Sequence, residues 1–351
     1  MGTKQKLTCV SRPRRFGKSY AAQMLCAYYD KTCDSSSLFD DLAIAEDNSG
    51  TYQKHLNKYD VIYLDITGII GATVKNDVVP FIIRNVTQEL TQELTDAYPG
   101  LKTQEAFYGT LANAIDVTGN KFIMIIDEWD APIREAAYQP DVQKEYWEFL
   151  RSLFKNSGTT SKIFAAAYMT GILPIKKDGS QSAISDFQES TMVFPDAFAE
   201  YVGFTEKEVK QLCLDHHRDF SMMKQWYDGY SLGDAGSIYN PNSVMKAVRS
   251  NSFRSYWTET SAAKSLMNYI SLDFDSLSKT LAELLGGIEV SVDTNGFAND
   301  LITFRNRDDV LTLLIHLGYL AYQEDTRTVH IPNEEIRLEF AKAVRQVRRD
   351  L

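Results

Sequence analysis

Apolar residues form short uninterrupted runs in the first half of the chain, and longer stretches with helical periodicity lie between them. Runs of this kind predict β-strands that are buried on both faces. Four strands are predicted, over residues 6–11, 60–65, 122–126 and 162–169. The intervening helices are predicted over residues 77–97, 103–117 and 140–156. Strands that alternate with helices favour an α/β fold built on a parallel, doubly wound sheet with helices on both faces.

The pattern changes after residue 190, where helical stretches dominate. Helices are predicted over residues 205–216, 220–227 and 308–317. The last of them leads into two short strands joined by a polar turn, and a helix followed by a hairpin is compatible with a winged-helix module. We therefore expect an α/β core over residues 1–190, a helical lid over 191–270 and a winged-helix-like region over 271–351.

The composition is that of a folded protein. A length of 351 residues predicts about two domains. Apolar residues make up 44% and charged residues 24%, which excludes a disordered chain as the main description. The formal net charge of −10 argues against a protein that coats nucleic acid through its overall charge, although a local basic patch remains compatible with it.

The chain carries no signal for export or membrane insertion in its first residues, which lack an apolar segment. Its longest uninterrupted apolar run, residues 163–169, is far shorter than the roughly 20 residues that span a bilayer. The four cysteines have neither disulfide-framework nor zinc-site spacing and are expected to be reduced thiols. These features predict a cytoplasmic protein that is not embedded in a membrane.

The strongest chemical signal is the segment R-P-R-R-F-G-K-S, which begins at Arg12 between the first predicted strand and a predicted helix. A phosphate-binding loop has the pattern G-x-x-x-x-G-K-[ST] in this context, and here Arg12 replaces the first glycine. Gly17 lets the backbone N–H groups turn toward phosphate oxygens, and the helix dipole adds attraction. Lys18 can reach the terminal phosphates and the Ser19 hydroxyl can bind Mg²⁺. The predicted nucleotide-binding residues are Arg14, Arg15, Phe16, Gly17, Lys18, Ser19 and Tyr20.

The three arginines of this segment have two readings that the sequence leaves open. Arg12, Arg14 and Arg15 either form a solvated basic loop or contact phosphates, including those of a partner's nucleotide.

A second half of a nucleotide site follows the strand at 122–126, which ends in Asp127 and Glu128. An Asp in this place can hold Mg²⁺ together with Ser19, and Glu128 can orient or deprotonate an attacking water. A small-molecule kinase has less need of the second carboxylate, because its acceptor is not water. The pair therefore favours ATP hydrolysis, with Lys18, Glu128 and Thr170 as predicted catalytic residues. Thr170 lies where additional-strand P-loop ATPases place a γ-phosphate sensor, and the equal alternative is a strand-end hydroxyl that bonds nearby backbone.

Other polar residues near these motifs are expected to be structural. Asp130 is predicted to cap a helix that has proline in its first turn, and Asp65 to have a structural role at a strand end. Lys176 and Lys177 are expected to be solvated. In the aromatic motif at residues 226–230, packing is preferred over base stacking.

Together these residues resemble a bacterial and archaeal family of predicted AAA-like ATPases that is related to the STAND-type P-loop NTPases. In that family the phosphate loop typically reads R-P-R-R-F-G-K-S, so arginine at position 12 is its usual form. The resemblance covers nearly the whole chain and implies a P-loop NTPase fold of the additional-strand type. It runs through the motifs at residues 127–130, 169–177, 198–205, 226–230, 239–243 and 331–335.

The chain departs from the family pattern at both ends. Family members usually carry a further helix-rich segment before the first strand, and many continue into a restriction-endonuclease-like domain. The present chain starts almost on the first strand and has no room for that nuclease after residues 333–337, so we expect a fragment or a naturally short member without nuclease activity.

The sequence thus predicts an ATPase or ATP-driven switch with ATP and Mg²⁺ as cofactors and possible assembly into homo-oligomers. The alternative is a nucleotide-dependent binding module with slow or no hydrolysis, which docks protein or nucleic acid through its C-terminal region. A small-molecule kinase is the disfavoured third reading.

Overall fold

A computed structural model of the chain describes residues 6–71, 78–136, 139–155, 157–175, 184, 186–257, 277–299, 301 and 303–350. Up to residue 171 the strands are separated by helices, as the sequence predicts, whereas after residue 190, where helices were expected to dominate, several short strands are also present. The strands are β1 Leu7–Ser11, β2 Asp60–Asp65, β3 Phe122–Asp127, β4 Phe164–Gly171, β5 Gln188–Ser190, β6 Phe204–Thr205, β7 Tyr230–Ser231, β8 Ser237–Tyr239, β9 Val290–Ser291, β10 Ala321–Gln323 and β11 Thr328–His330.

The helices of the first half are α1 Lys18–Tyr29, α2 Thr51–His55, α3 Ile66–Gly71, α4 Val78–Ala97, α5 Phe107–Thr118, α6 Ala131–Glu135, α7 Pro140–Phe154 and α8 Ser157–Ile163. Those of the second half are α9 Glu206–Asp215, α10 Phe220–Tyr227, α11 Pro241–Ser250, α12 Leu277–Leu285, α13 Arg307–Leu317 and α14 Glu334–Asp350. Short 3₁₀ turns lie at Ser36–Leu38, Asp196–Phe198 and Gly233–Ala235.

The largest sheet has five strands in the order β2-β3-β4-β1-β5. Strands β2, β3 and β4 pair in parallel, with Asp65 opposite Asp127 at the last position of the first pair. Strand β4 therefore lies between β1, which leads into the phosphate loop, and β3, which ends in Asp127. This inserted strand is the feature predicted by the additional-strand type of P-loop fold, and the predicted α/β fold with a parallel sheet is confirmed.

Most predicted elements agree with the structure to within a few residues. The clearest differences lie at the start of a helix, α5, and at the start of a strand, β4. Helix α5 begins at Phe107 and not at residue 103, because the Thr110 hydroxyl accepts the N–H of Gln104 at 2.9 Å and holds the preceding segment outside the helix. Strand β4 begins at Phe164, since residues Ser157–Ile163 form α8.

The chain divides into two compact units. The first contains residues 1–10, 19–171 and 175–188, and the second contains residues 11–18, 172–174 and 189–351. The phosphate-loop segment before Ser19 therefore groups with the C-terminal half. The predicted separation of that half into a lid and a winged-helix-like region stays a prediction, and part of its boundary lies outside the described residues.

The first unit has an apolar core in which β3 is buried along its whole length. The apolar residues of β3 pack with β2, β4 and the helices around them, and Asp127 is the first polar residue along β3. The second unit has a separate core around Val209, Met223, Tyr227, Tyr239 and Val244. None of the described helices is both long enough and apolar enough to cross a membrane.

The predicted helix and hairpin near the C-terminus are present. Helix α13 ends at Leu317 with Gly318 as its C-cap, and β10 and β11 pair antiparallel with Tyr322 opposite Val329. Strand β9 extends this hairpin to a three-stranded sheet in the order β10-β11-β9. His316 is buried in α13, while His216 and His217 are exposed.

Candidate nucleotide site

The predicted phosphate loop turns into helix α1 through residues with positive φ. Helix α1 begins at Lys18, directly after Gly17, whose φ of 92° lies in the left-handed region that glycine adopts without strain. Arg15 also has a positive φ, of 69°, which a residue with a side chain adopts only where its surroundings hold it. Lys18 is 4% exposed, and its Nζ donates to the Pro13 carbonyl at 3.1 Å. The loop thus places its lysine and the N-terminus of α1 on one short turn.

Arg12 is not the solvated charge of the first reading, because its side chain is buried in the protein, and the second reading, contact with phosphate, stays a prediction. The side chain is fully buried in the second unit. Its Nη1 donates to the Ser190 carbonyl at 3.1 Å, and its Nη2 donates to the Ser190 hydroxyl at 3.0 Å and the Phe198 carbonyl at 3.4 Å. The residue that replaces the first glycine of the pattern is therefore a buried structural arginine.

Arg14 and Arg15 are partly buried, and Arg15 is directed to the protein itself. Its Nη1 donates to the Tyr256 carbonyl at 2.8 Å. The Arg14 carbonyl accepts from Asn240 Nδ2 at 3.5 Å. Direct phosphate contact by either guanidinium stays a prediction.

The three predicted nucleotide-binding residues that remain, Phe16, Ser19 and Tyr20, have different surroundings. Phe16 is fully buried, with its ring edge-on to Tyr230 at a centroid distance of 5.3 Å, so its side chain packs in the protein and its contact with nucleotide stays a prediction. Ser19 is partly exposed at the start of α1, and Tyr20 is 76% exposed beside it.

The acidic strand end brings Asp127, Glu128 and Thr170 together, as the sequence predicts. Asp127 is 3% exposed, and its Oδ1 accepts a short hydrogen bond from the Thr170 hydroxyl. The same hydroxyl accepts the Glu128 N–H at 3.1 Å. Thr170, at the end of β4, therefore fixes both acidic residues that follow β3. Because its one hydroxyl proton goes to Asp127, this arrangement favours the structural alternative, and its role as a γ-phosphate sensor stays a prediction.

Glu128 has a backbone φ of 55°, again in the left-handed region. A turn of this kind redirects the chain directly after the strand, and the Trp129 N–H donates to the Thr170 carbonyl at 2.8 Å to close it. Such strained non-glycine residues concentrate at functional sites, where the surroundings hold them in place.

Sequence reasoning missed Arg134, which engages Glu128. Arg134 Nη2 lies 2.7 Å from Glu128 Oε2, and Arg134 Nε lies 3.2 Å from Asp130 Oδ2. Burial lowers the pKa of the Arg134 guanidinium, but the charges of Asp130 and Glu128 outweigh it and hold the pKa above its ordinary value. Arg134 lies four positions after Asp130, which is about one helical turn, and this spacing could have predicted an ion pair between the two residues.

Asp130 holds the N-cap position of α6 as predicted, with Pro132 in the first turn, but its carboxylate makes no capping hydrogen bond. The carboxylate is fully buried and pairs with Arg134, so the predicted capping chemistry was wrong. Asp65 does have a structural role, because its Oδ1 accepts the Gly68 N–H at 2.9 Å.

The remaining expectations concern residues near the motifs. Tyr227 and Tyr230 are buried in the second unit, which agrees with packing and not with base stacking. Lys176 and Lys177 lie outside the described residues. All four cysteines are free thiols, two of them buried.

The side chains of the phosphate loop and of the acidic strand end have the chemistry that a magnesium nucleotide requires. A buried carboxylate at Asp127 and a hydroxyl at Ser19 are hard oxygen ligands, and Mg²⁺ in nucleotide sites takes one or two of them and fills its other positions with water and phosphate. Lys18 supplies a cation and Gly17 an open backbone for the phosphates. The donor set fits Mg²⁺-ATP.

Comparison with known proteins finds a family model and a relative that match this chain. A family model described as "Predicted AAA-ATPase" matches residues 1–180. A curated protein of Azotobacter chroococcum mcd 1, named "Uncharacterized protein in vnfD 5'region", is 22% identical over 267 residues, which is 74% of this chain. The match covers 48% of that relative, so the chain spans about half its length.

Solved structures resemble the chain only loosely. The ORC2 protein of Aeropyrum pernix, solved as ADPNP-ADP complexes, is 11% identical with a TM-score of 0.41, and the match covers 99% of this chain and 88% of that one. The ORC1 protein of the same organism, solved in complex with DNA, is 12% identical with a TM-score of 0.30 over 100% of this chain and 90% of that one. The family assignment therefore depends on the family-model match, which extends over more than half of the sequence: this chain belongs to the predicted AAA-ATPase family.

Proposed function

We propose that the protein binds ATP with Mg²⁺ and hydrolyses it to ADP and phosphate. The observation that carries this proposal is the cluster at the ends of β3 and β4, where a buried Asp127 and a conformationally strained Glu128 are both fixed by Thr170. The phosphate loop before α1 supplies the complementary cation and N–H groups. A fold that only needed to end two strands would not require an acidic pair in this conformation.

Each residue has a defined role in the proposed reaction. Lys18 and the loop backbone hold the β- and γ-phosphates, and Ser19 and Asp127 hold Mg²⁺, which neutralises phosphate charge when bound. Glu128 orients a water and accepts its proton as the water oxygen bonds to the γ-phosphorus and the bond to ADP breaks. Water is the proposed acceptor because a small-molecule kinase has less need of the second carboxylate, Glu128, which disfavours the kinase reading.

Nucleotide binding is tested by titrating the protein with fluorescent ATP in the presence of Mg²⁺. Lys18→Ala should weaken binding by at least about 100-fold, since a buried charge-assisted phosphate contact is lost. The exposed Lys102 offers a matched control, and Lys102→Ala should bind as the wild type does. Equal binding by Lys18→Ala and the wild type would refute the assignment of this loop.

Hydrolysis is tested by phosphate release from the wild type and Glu128→Gln. The substitution should lower turnover by about 100-fold or more while ATP affinity is retained, because only the general base is removed. An unchanged turnover would refute the role of Glu128.

A second candidate, a nucleotide-dependent switch with slow hydrolysis, is favoured by one observation. The Glu128 carboxylate is engaged by Arg134 at 2.7 Å, so the proposed base is paired in this conformation. The switch predicts slow turnover by the wild type and faster turnover by the double variant Asp130→Asn/Arg134→Met, which releases Glu128 without leaving a lone buried charge. A double variant no faster than the wild type would argue against the switch.

The resemblance to STAND-type NTPases supports the switch reading, since such proteins often act through bound nucleotide. In that version the protein works in the cytoplasm, assembles into homo-oligomers and docks protein or nucleic acid through its C-terminal region. Filter binding with DNA across a range of salt concentrations tests the nucleic-acid version, and the absence of salt-dependent binding would remove it.

A further inference from the structure

The arginine-rich part of the phosphate loop is held by residues that lie far away in the sequence. Within the second unit, Arg12 bonds Ser190, the Arg14 carbonyl accepts from Asn240, and the Phe16 ring packs on Tyr230. These partners come from motifs that the sequence singles out but that the nucleotide chemistry does not use. The loop conformation is therefore set by the C-terminal half.

The main chain of Tyr256 connects Arg15 to a buried carboxylate, Glu335. Arg15 Nη1 donates a hydrogen bond to the Tyr256 carbonyl at 2.8 Å. The Tyr256 N–H donates to Glu335 Oε1 at 2.7 Å. Tyr256 is 3% exposed. One residue thus joins the loop arginine on one side to a carboxylate of helix α14 on the other.

Glu335 is buried, at 1% exposure, and its carboxylate also accepts the Ser243 hydroxyl at 2.9 Å on Oε2. Desolvation raises its pKa to about 7, helped by the like charge of Glu339 and opposed by the hydrogen bonds from Tyr256 and Ser243 and the charge of Arg15.

Three further groups face this carboxylate. Glu339 is itself paired with Lys342 at 2.9 Å, and Tyr227 and Tyr230 are neutral phenols whose pKa values are raised chiefly by burial. The cation whose charge acts on Glu335 is Arg15, which is itself a residue of the phosphate loop.

We propose that Glu335 is a positioning residue for the phosphate loop: through the main chain of Tyr256 and the charge of Arg15, its ionised form holds the loop in the conformation that receives phosphate. This inference rests on the proposed nucleotide site. Arg15 has a positive φ of 69°, and a non-glycine residue keeps that conformation only under external constraint. Protonation of Glu335 weakens the Tyr256 N–H bond and removes the attraction for Arg15, so the loop relaxes.

The coupling is reciprocal, because a ligand that favours one loop conformation also favours the charge state that goes with it. Nucleotide binding is therefore expected to promote ionisation of Glu335, more than 300 residues downstream of the loop in sequence but directly linked to it in the fold.

The experiment measures the affinity of the full chain for ADP in excess Mg²⁺ between pH 6.0 and 8.5, for the wild type, Glu335→Gln and Glu334→Gln. Glu334 is the matched control, because it precedes Glu335 in α14 but pairs on the surface with Arg337. The titration of the ligand itself is common to all three proteins and cancels when affinities are compared at the same pH.

Glu335→Gln should bind as the wild type does at pH 6.0 and roughly 5- to 10-fold more weakly at pH 8.5, the loss expected for one charge-assisted hydrogen bond. Glu334→Gln should match the wild type throughout. Ser243→Ala, which removes a hydrogen bond to the ionised carboxylate, should move the midpoint of the wild-type pH dependence upward.

A merely structural role of Glu335 predicts a loss of affinity that is the same at every pH and an unmoved midpoint in Ser243→Ala, and either result would overturn the proposal. Failure of the proposed function looks different, because the wild type itself would then not bind ADP, or would bind it equally well after Lys18→Ala. Thermal unfolding without nucleotide shows whether Glu335→Gln is folded. If it is not, the midpoint of the pH dependence of ADP affinity in Ser243→Ala tests the proposal.

Discussion

The ion pairs of Arg134 allow a quantitative prediction about the segment that carries Glu128. In Arg134→Met the side chain keeps most of its volume but loses its charge, so packing is retained while Asp130 and Glu128 lose their cation. The two carboxylates differ in exposure, since the Asp130 side chain is 0% exposed and the Glu128 side chain 19%. Glu128 can regain water, but Asp130 cannot.

The magnitude follows from this difference. Removing one partner of a buried ion pair costs about 3–5 kcal/mol of unfolding free energy, because the remaining charge stays buried. Asp130→Asn in the Arg134→Met background removes that charge, and the double variant should lose no more than about 2 kcal/mol in total. The exposed pair of Arg337 and Glu334 provides a control, because Arg337→Met should cost about 0–1 kcal/mol.

The assay is urea unfolding followed by tryptophan fluorescence. Trp129, 1% exposed and adjacent to Asp130, and Trp147 report on the first unit, while Trp226 and Trp257 report on the second. A loss below about 1 kcal/mol in Arg134→Met, or a double variant as unstable as the sum of the two single changes, would refute the argument that Asp130 depends on Arg134.

Three further changes have defined outcomes. Thr170→Val removes the hydroxyl that bonds Asp127 and should cost about 1–3 kcal/mol in urea unfolding and weaken the Mg²⁺ dependence of ATP binding, whereas unaltered stability would contradict the hydrogen bond. Gly171→Ala would place a Cβ 2.6 Å from Trp129 Nε1, and an overpacking loss of about 1–3 kcal/mol is expected; a melting temperature equal to that of the wild type would show that the strand end yields without cost. Glu335 has a folded pKa of about 7, above its ordinary 4.5, so its proton stabilises the fold below pH 4.5 and this stability, roughly 3 kcal/mol, is lost as the pH rises to 7. Glu335→Gln should therefore show a shallower decline in unfolding free energy over that interval, and parallel curves for the two proteins would contradict it.

Elements whose pattern is local could be predicted from the sequence. The strand Phe122–Asp127 is an unbroken apolar run and the helix after Gly17 begins where the phosphate-loop pattern places it, because backbone conformation here depends on neighbouring residues. The same holds for the positions of Asp127 and Glu128, since a buried parallel strand delivers its polar end to one edge of the sheet.

The sequence did not reveal which hydrogen-bond or ion-pair partner each buried polar group has. Arg12 reads as part of a basic loop, yet its partner Ser190 lies 178 positions away. Arg134 reads as an ordinary helix residue, and only the left-handed turn at Glu128 brings the two side chains to 2.7 Å.

The chain by itself therefore determined the α/β class, the phosphate loop and the acidic strand end, all of which follow from local periodicity and short motifs. Only the tertiary structure decided that Arg12 is buried, that Glu128 is paired and that Glu335 connects to Arg15 through Tyr256. The physical reason is that a buried charge must find an opposite charge or hydrogen-bonding partner wherever the fold places one, and that partner is set by long-range packing and not by the residues beside it.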